Sequence, residues 1–588
     1  MGKVHLMNIA LSSNSNFLNI NASNSHRFKV IFSVMNKALH NKNILWGLIL
    51  LFSLQQFVFS QHLVSDEIRL NKCLHGETIT NYDVNYIEMD LDIDIYNKRI
   101  KGFCLISFDL LDKSKDSVEF NLDKRLDIDS ITGFNTKKLK YFRSSDKIWI
   151  SLNEIKFQDE KLAVKIFYNG SPREAEIPPW YGGLVWSTDN NGDQFSGVCC
   201  QLQGSKLWWP SNSRWNDKID STLIKFKVPK DYQVISNGRL VSKRQDSTGR
   251  IAYTWKTSYP MVSYNLTFYI GKYTHYQEIY HNIADSFLLH YYILPEYIAE
   301  ARLHFDQVKR ILSAYENYFG DYPFVSDEFK IVQSPYIGME HQSAIAYGGS
   351  FKNGIAGLDY SGINLPYDYL LIHEIAHEWW GNSVTASSIN DIWIHESLAT
   401  YSEALLVEKY YGFDSSQLYI NRDIQHLLMN KYPLCDTILG SVYNSDMYIK
   451  GAAIWNTLRY IVDDDEKWFE LIKQIQFDFR YSSISTIELI EFINYYLNVD
   501  YSSFFNQFIY SSAIPVMEIT DIEESVYNYG IRWRNCNDDF KTPIHIRDDN
   551  LSKTIIVSSN PSVVKINDLG NFISDLQSKT IFKVIHIK

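Results

Sequence analysis

The segment His373-Glu374-Ile375-Ala376-His377, followed after eighteen residues by Glu396, constrains this chain more than any other feature. On a helix the two histidines lie four residues apart, so both imidazoles project from one face about one turn apart. Imidazoles at that spacing can share a metal ion, and Glu374 beside the first can reach a water at that ion. Glu396, on a second helix, can supply a third protein ligand. Three ligands leave the fourth tetrahedral position open, which separates a catalytic zinc site from a structural one. A pentapeptide of this form also arises by chance, with its histidines serving only a core helix. The flanks argue otherwise. Tyr369-Leu370-Leu371-Ile372 make a helical run before the motif, Gly381 is the expected helix stop, and Glu396 lies in Trp393-Ile394-His395-Glu396-Ser397-Leu398-Ala399-Thr400-Tyr401, again a good helix. These residues predict one Zn2+ per chain.

The chain has 588 residues, 45% hydrophobic and 21% charged, which is ordinary soluble-protein composition with length for several domains. Net charge is -11, and no basic stripe argues for nucleic acid. Asp463-Asp464-Asp465-Glu466 lacks the alternating spacing of a calcium loop and reads as a solvated helix boundary. Six cysteines (Cys73, Cys104, Cys199, Cys200, Cys435 and Cys536) are too few for a disulfide framework and have no CxxC spacing, so they make no second zinc site. Their pairing does not follow from the sequence.

Residues 1–60 read as a leader. Ile44 to Phe59 are largely apolar and follow Lys37, His40 and Lys42, while Val58 and Ser60 stand at the -3 and -1 positions of a cut before Gln61. That is the pattern of a secretory signal, and it predicts export to the periplasm or the extracellular space. The run is shorter than the ~20 residues of a spanning helix, so a membrane enters only if the leader stays uncleaved. The polar stretch before Met35 suggests that translation starts at Met35.

From Tyr82 to about Lys272 the pattern is β. Tyr86 to Ile95 alternate apolar and polar residues as a half-buried strand does, and Asn169-Gly170 and Asn237-Gly238 signal turns. Residues 61–274 therefore read as an N-terminal β-sandwich domain. Helical periods follow over Pro295 to Phe319, Tyr369 to Trp380, Ile392 to Tyr411 and Tyr448 to Val462, placing the motif in a mainly helical domain over 275–514. Strand patterns return at Gly530 to Trp533, Thr542 to Arg547 and Lys553 to Val557, so 515–588 read as a small β-sandwich. The predicted fold is multidomain α+β.

HEIAHEWWGN joined to WIHESLATYSEA resembles the gluzincin aminopeptidases, the family of aminopeptidase N and leukotriene hydrolase. Tyr336-Ile337-Gly338-Met339-Glu340-His341 resembles the family's Gly-x-Met-Glu-Asn strand, Tyr448-Ile449-Lys450-Gly451 its Tyr-x-Lys-Gly element, and Cys200-Gln201-Leu202 ahead of Trp208-Trp209-Pro210 the segment that sends a Gln or Glu into the active site. The resemblance covers roughly residues 75 to 588 and implies a thermolysin-like catalytic domain. It departs from the family at Ile337 for a glycine, at His341 for an asparagine and at His395 for a frequent asparagine. The family's long helical C-terminal domain is absent as well, from which an open cleft and a monomer rather than a dimer are expected.

The resemblance implies a zinc aminopeptidase acting on peptides with free N-termini. Glu374 would take the proton of the attacking water and pass it to the leaving amine. Tyr448 would donate to the oxyanion. Glu340 would pair with the substrate's α-ammonium, with Gln201 accepting from the same group and Gly338 and Met339 lining the bound chain. Glu403, seven residues after Glu396 on the same helix face, is a candidate partner behind the ligands. A zinc endopeptidase with the same ligands and a non-catalytic peptide-binding module of the same fold are the alternatives.

Overall fold

The structure, a computed structural model, describes residues 82–587 except 135, 155–160, 283–284, 356, 360–362, 428–432, 436–444, 523–526 and 549–550. Contacts divide the chain into 1–62 and 63–588, and every described residue falls in the second unit. The expected leader, Met35 and Cys73 lie outside the described residues. No helix among the described residues is long and apolar enough to cross a membrane.

The strand Tyr82–Asp94 carries the alternation seen in the sequence: Ile87, Met89, Leu91 and Ile93 are buried and the residues between them are not. It lies fourth in a seven-stranded sheet of order Arg239–Gln245, Ile251–Thr257, Ser221–Val228, Tyr82–Asp94, Arg99–Leu110, Lys161–Gly170, Leu126–Gly133. It pairs parallel with Ser221–Val228 and antiparallel with Arg99–Leu110. A four-stranded sheet (Gln233–Ser236, Phe268–Gly271, Gln194–Cys199, Gly183–Thr188) carries the chain toward the functional residues, because Gln201 follows directly on Cys199 and Cys200. The turn at Asn237-Gly238 passes from this sheet to the seven-stranded one. Gly238 takes φ +74°, and a Cβ there would lie 2.0 Å from the Lys256 carbonyl oxygen.

A further, mixed sheet begins at Thr274–His281 and continues through Ser286–Ile293, Phe329–Gln333 and Ile345–Tyr347 to the edge strand Gly338–Met339. Helices pack against it. The run predicted over Pro295 to Phe319 divides into a 3-10 turn Pro295–Tyr297 and helices Ile298–His304 and Gln307–Phe319. The other site helices are Tyr369–Ala376, Trp393–Tyr411 and Asp446–Val462.

The first of these ends earlier than expected. Glu378 N–H and Trp379 N–H turn to the Ile375 and Ala376 carbonyls, three residues back, so the chain tightens and leaves the helix after His377. Gly381 is not its C-cap but sits in the following turn at φ +123°, with its N–H on the Val384 carbonyl.

The C-terminal part holds a four-stranded sheet and a hairpin, Thr542–Asp548 with Leu551–Val557, and also a helix, Leu569–Lys579, that the all-β expectation missed. Asp568 caps that helix through Asn571 N–H, and Phe572 and Leu576 are its buried anchors. Its place has a topological reason. The last strand, Lys583–Ile587, pairs parallel with Val516–Asp521, and parallel pairing needs a crossover rather than a tight turn. Cys104, Cys199, Cys200 and Cys536 are free thiols.

Candidate active site

The motif helix Tyr369–Ala376 is fixed at its start by Asp368. One carboxylate oxygen of Asp368 accepts from Leu370 N–H (3.0 Å) and Leu371 N–H (3.2 Å). The other accepts from Tyr347 OH (2.6 Å) and pairs with His304 Nε2 (2.8 Å). Tyr347 lies on the strand beside Gly338–Met339, so the cap also ties the helix to the sheet edge.

On this helix His373 and His377 bring their Nε2 atoms to 3.1 Å of each other, and both approach Glu396 Oε2, at 3.3 and 3.5 Å. The far nitrogens are engaged elsewhere. His377 Nδ1 lies 2.8 Å from the Trp380 carbonyl oxygen, and His373 Nδ1 lies 2.8 Å from Glu403 Oε1. A carbonyl can only accept, so His377 Nδ1 carries the proton and its Nε2 presents a lone pair. Glu403 fixes the same tautomer for His373 and is itself held by the Tyr419 hydroxyl. Two imidazole lone pairs and a carboxylate thus converge with no donor among them. Such a set can hold a cation, and its two nitrogens and one oxygen suit zinc. Burial works to raise the Glu396 carboxyl, but His377 and His373 hold it well below the usual carboxylate range.

Glu374 is fully enclosed, and burial pushes its carboxyl up to about 8 against the pull of His373 and His377. Its neighbour is Gly338. A Cβ on Gly338 would lie 2.4 Å from Glu374 Oε1 and 2.6 Å from Leu370 Cδ1, so a larger residue here would have to displace the ends of both side chains. Met339 follows, buried. Glu340 is next, with carboxylate Oε1 accepting from Gln201 Nε2 (2.5 Å) and Tyr264 OH (3.1 Å). Donor atoms of Glu340, Glu374 and His377 all lie within 4.8 Å of one another. Beyond the other end of the strand, a cavity of about 440 Å³ is lined by Pro335, Tyr336, Ile337, Ile355 and Leu370.

Tyr448 is half-buried, its ring 5.7 Å from that of His373. Its helix reaches the Glu396 helix through Gly451, where a Cβ would lie 2.4 Å from Ser397 Cβ. Trp455 Nε1 donates to Ser397 Oγ at the same contact (2.9 Å).

All ten residues singled out in the sequence thus meet in one region. Sequence reasoning missed Tyr264, Asn382, Tyr419 and the Trp380 carbonyl. Asn382 stood within the quoted HEIAHEWWGN run, but nothing distinguishes Tyr264 among forty tyrosines. Two of the departures are interior groups. His341 is buried with Nδ1 on Tyr269 OH (2.7 Å). His395 accepts Ala386 N–H at Nε2 (2.5 Å) and stacks on Trp215 at 5.5 Å, joining its helix to the β domain.

Residues 303–508 match the model of the peptidase family M1 domain. This part of the chain is therefore similar to the M1 peptidases, in line with the resemblance to the gluzincin aminopeptidases. Among the chain's relatives, probable aminopeptidase 2 of Sulfurisphaera tokodaii is 25% identical over 454 residues, covering 74% of this chain and 52% of that protein. Human endoplasmic reticulum aminopeptidase 1 is 24% identical over 272 residues, 43% of this chain and 28% of its own. The chain therefore spans about half the length of the first of these relatives. An M1 zinc metallopeptidase mutant from Deinococcus radiodurans, solved with a Tyr-Ser-Ala substrate, shares the fold with a TM-score of 0.61 at 16% identity, over 74% of this chain and 95% of that one.

Proposed function

We propose that this chain is an exported zinc aminopeptidase that removes single residues from the free N-termini of peptides. The observation that carries the reading is the position of Glu340. Its carboxylate has donor-atom separations of no more than 4.8 Å from Glu374 and His377, which leaves room for one residue between a bound α-ammonium and the reacting carbonyl. An internal peptide bond has no ammonium to offer there, and bringing its chain past Glu340 would leave a buried carboxylate facing an uncharged group.

His373, His377 and Glu396 would hold one zinc, and Glu403 and the Trp380 carbonyl keep the two imidazoles aimed. Zinc, when bound, supplies Lewis acidity toward a water and the scissile carbonyl. Glu374 takes the proton of the attacking water and delivers it to the leaving nitrogen. Tyr448, its ring beside that of His373, donates to the oxyanion. Glu340, Gln201 and Tyr264 form the ammonium-binding cluster, and Gly338 brings the edge strand against the base. The apolar run Ile44 to Phe59 supports export, for which the mature protein would begin at Gln61. N-terminal sequencing of secreted material checks this, and a cytoplasmic product retaining the run would contradict it.

The test of the activity uses aminoacyl amides beside their N-acetylated forms, each with and without a chelator, on protein whose zinc content has been measured. One zinc per chain and chelator-sensitive cleavage of the free amines alone are expected. Equal cleavage of the acetylated forms would move the assignment to the endopeptidase, and no cleavage of either by zinc-loaded protein to the binding module.

A further inference from the structure

The backbone of Glu340 is held by a side chain that no motif role accounts for. Asn382 is fully buried and is held through its own N–H, both ends of its amide and its main-chain carbonyl. Its own N–H donates to the His377 carbonyl (3.0 Å), which fastens it to the end of the motif helix. Its Nδ2 donates to the Glu340 carbonyl (2.8 Å). Its Oδ1 accepts from Asn265 Nδ2 (2.5 Å), next to the Tyr264 that holds the Glu340 carboxylate. Its main-chain carbonyl accepts from the buried ammonium of Lys218 (2.7 Å), which also reaches the Ser383 carbonyl (2.9 Å). The Glu340 carbonyl can only accept, so the amide orientation is fixed with Nδ2 toward Glu340. The rest of the segment is pinned the same way: Glu378 Oε1 accepts Ser343 N–H (2.9 Å), and Asn237 Nδ2 donates to the Gln342 carbonyl (2.7 Å).

We infer that Asn382 is a positioning residue that sets the distance between the metal-ligating helix and the ammonium-binding carboxylate, and so makes the site an exopeptidase one. The inference rests on the proposed aminopeptidase reading. Two hydrogen bonds through one residue join the His377 main chain to the Glu340 main chain, and Asn265 and Lys218 of the β domain lock that residue. A displaced ammonium site misplaces the scissile carbonyl relative to Glu374, and small misplacements are felt strongly in rate. The effect belongs to free-amine substrates, because an acetylated substrate makes no use of Glu340.

The experiment compares zinc-loaded wild type, Asn382→Ala, Asn382→Asp, Glu340→Gln and the Asn382→Ala/Glu340→Gln pair, measuring kcat and KM on a free aminoacyl amide and on its N-acetyl form. Asn382→Ala should lower kcat/KM for the free amine by about tenfold, the loss expected for one buried hydrogen bond, with part of it in kcat, and narrow the free-over-acetyl preference while zinc content stays at the wild-type level. Asn382→Asp fills the same volume but sets an oxygen against the Glu340 carbonyl, so it should do at least as much, where a packing role alone predicts a milder effect. In the Glu340→Gln background the Asn382→Ala change should add little, since coupled residues fail to add. A full, additive penalty there overturns the inference, as does an Asn382→Ala enzyme that keeps the wild-type preference. Should Asn382→Ala fail to fold, Asn265→Ala decides: it unlocks the same amide and should narrow the preference in the same direction, and an unchanged preference overturns the inference. A wild type with no preference for free amines would instead defeat the aminopeptidase reading itself.

Discussion

At the scale of single residues, the donor set places exacting demands on its surroundings. Glu374→Gln keeps size and burial but cannot take a proton, so turnover should fall by about 10²–10⁴ with zinc content unchanged. A variant that kept its rate would remove Glu374 from the role. Gly338→Ala adds a methyl 2.4 Å from Glu374 Oε1 and should also cost most of the turnover with zinc retained. Loss of zinc from that variant would mean that the strand moves the ligands rather than the base. Glu403→Ala frees His373 Nδ1 and should weaken zinc binding by about 10- to 100-fold in a chelator competition, without touching substrate. Affinity equal to the wild type would assign Glu403 a merely structural place. Residues of this kind are legible in a sequence because helical periodicity relates them: His373 to His377 by four, Glu396 to Glu403 by seven. Tyr264, Asn265 and Lys218 come from another domain, and no period links them to the motif.

At the scale of elements, the site depends on how closely its helices approach. The Tyr448 helix touches the Glu396 helix at Gly451, and Gly451→Ala would force the two backbones apart at Ser397. Overpacking of this kind typically costs about 1–3 kcal/mol, and kcat should fall as Tyr448 moves while KM changes little. A stability loss with kcat intact would show that Tyr448 is not placed by this contact. The elements were only partly readable. The Glu396 helix, Trp393–Tyr411, follows its expected span closely. The acidic run 463–466 proves to be a boundary with work at three of its four positions: Asp463 closes one helix in the left-handed conformation, Asp464 caps the next, and Asp465 pairs with Arg459. The motif helix stops early because its last turn tightens under His377, and local propensity carries no mark of that. The C-terminal helix, Leu569–Lys579, shows its apolar spacing clearly once its two neighbouring strands are known to run parallel.

At the scale of the whole molecule, the β domain and the catalytic domain share their polar interior. Asp217 illustrates how that interior responds to pH. Its carboxylate accepts Val84 N–H at the start of the first long strand and binds the Asn212 side chain, and burial raises its carboxyl from 3.8 to about 7. Folding therefore takes up a proton between those values. The stability this group contributes is fully present below the lower value and is lost as pH rises through the upper one. Asp217→Asn, whose Asn212 partner can turn its amide to suit, should flatten that part of the profile, read as denaturation midpoints at pH 5 and pH 8. An unchanged difference between the two midpoints would exclude Asp217 as its source. The meeting of the two domains at Asn382 has a further consequence for anyone who would move this chemistry to another scaffold. The metal ligands and the base all lie within residues 303–508, but Gln201, Tyr264, Asn265 and Lys218 do not. On the proposed reading, a transplanted catalytic module would carry Glu340 with the hydrolytic apparatus but leave behind the side chains that hold Glu340 in place, so reactivity would travel more readily than selectivity.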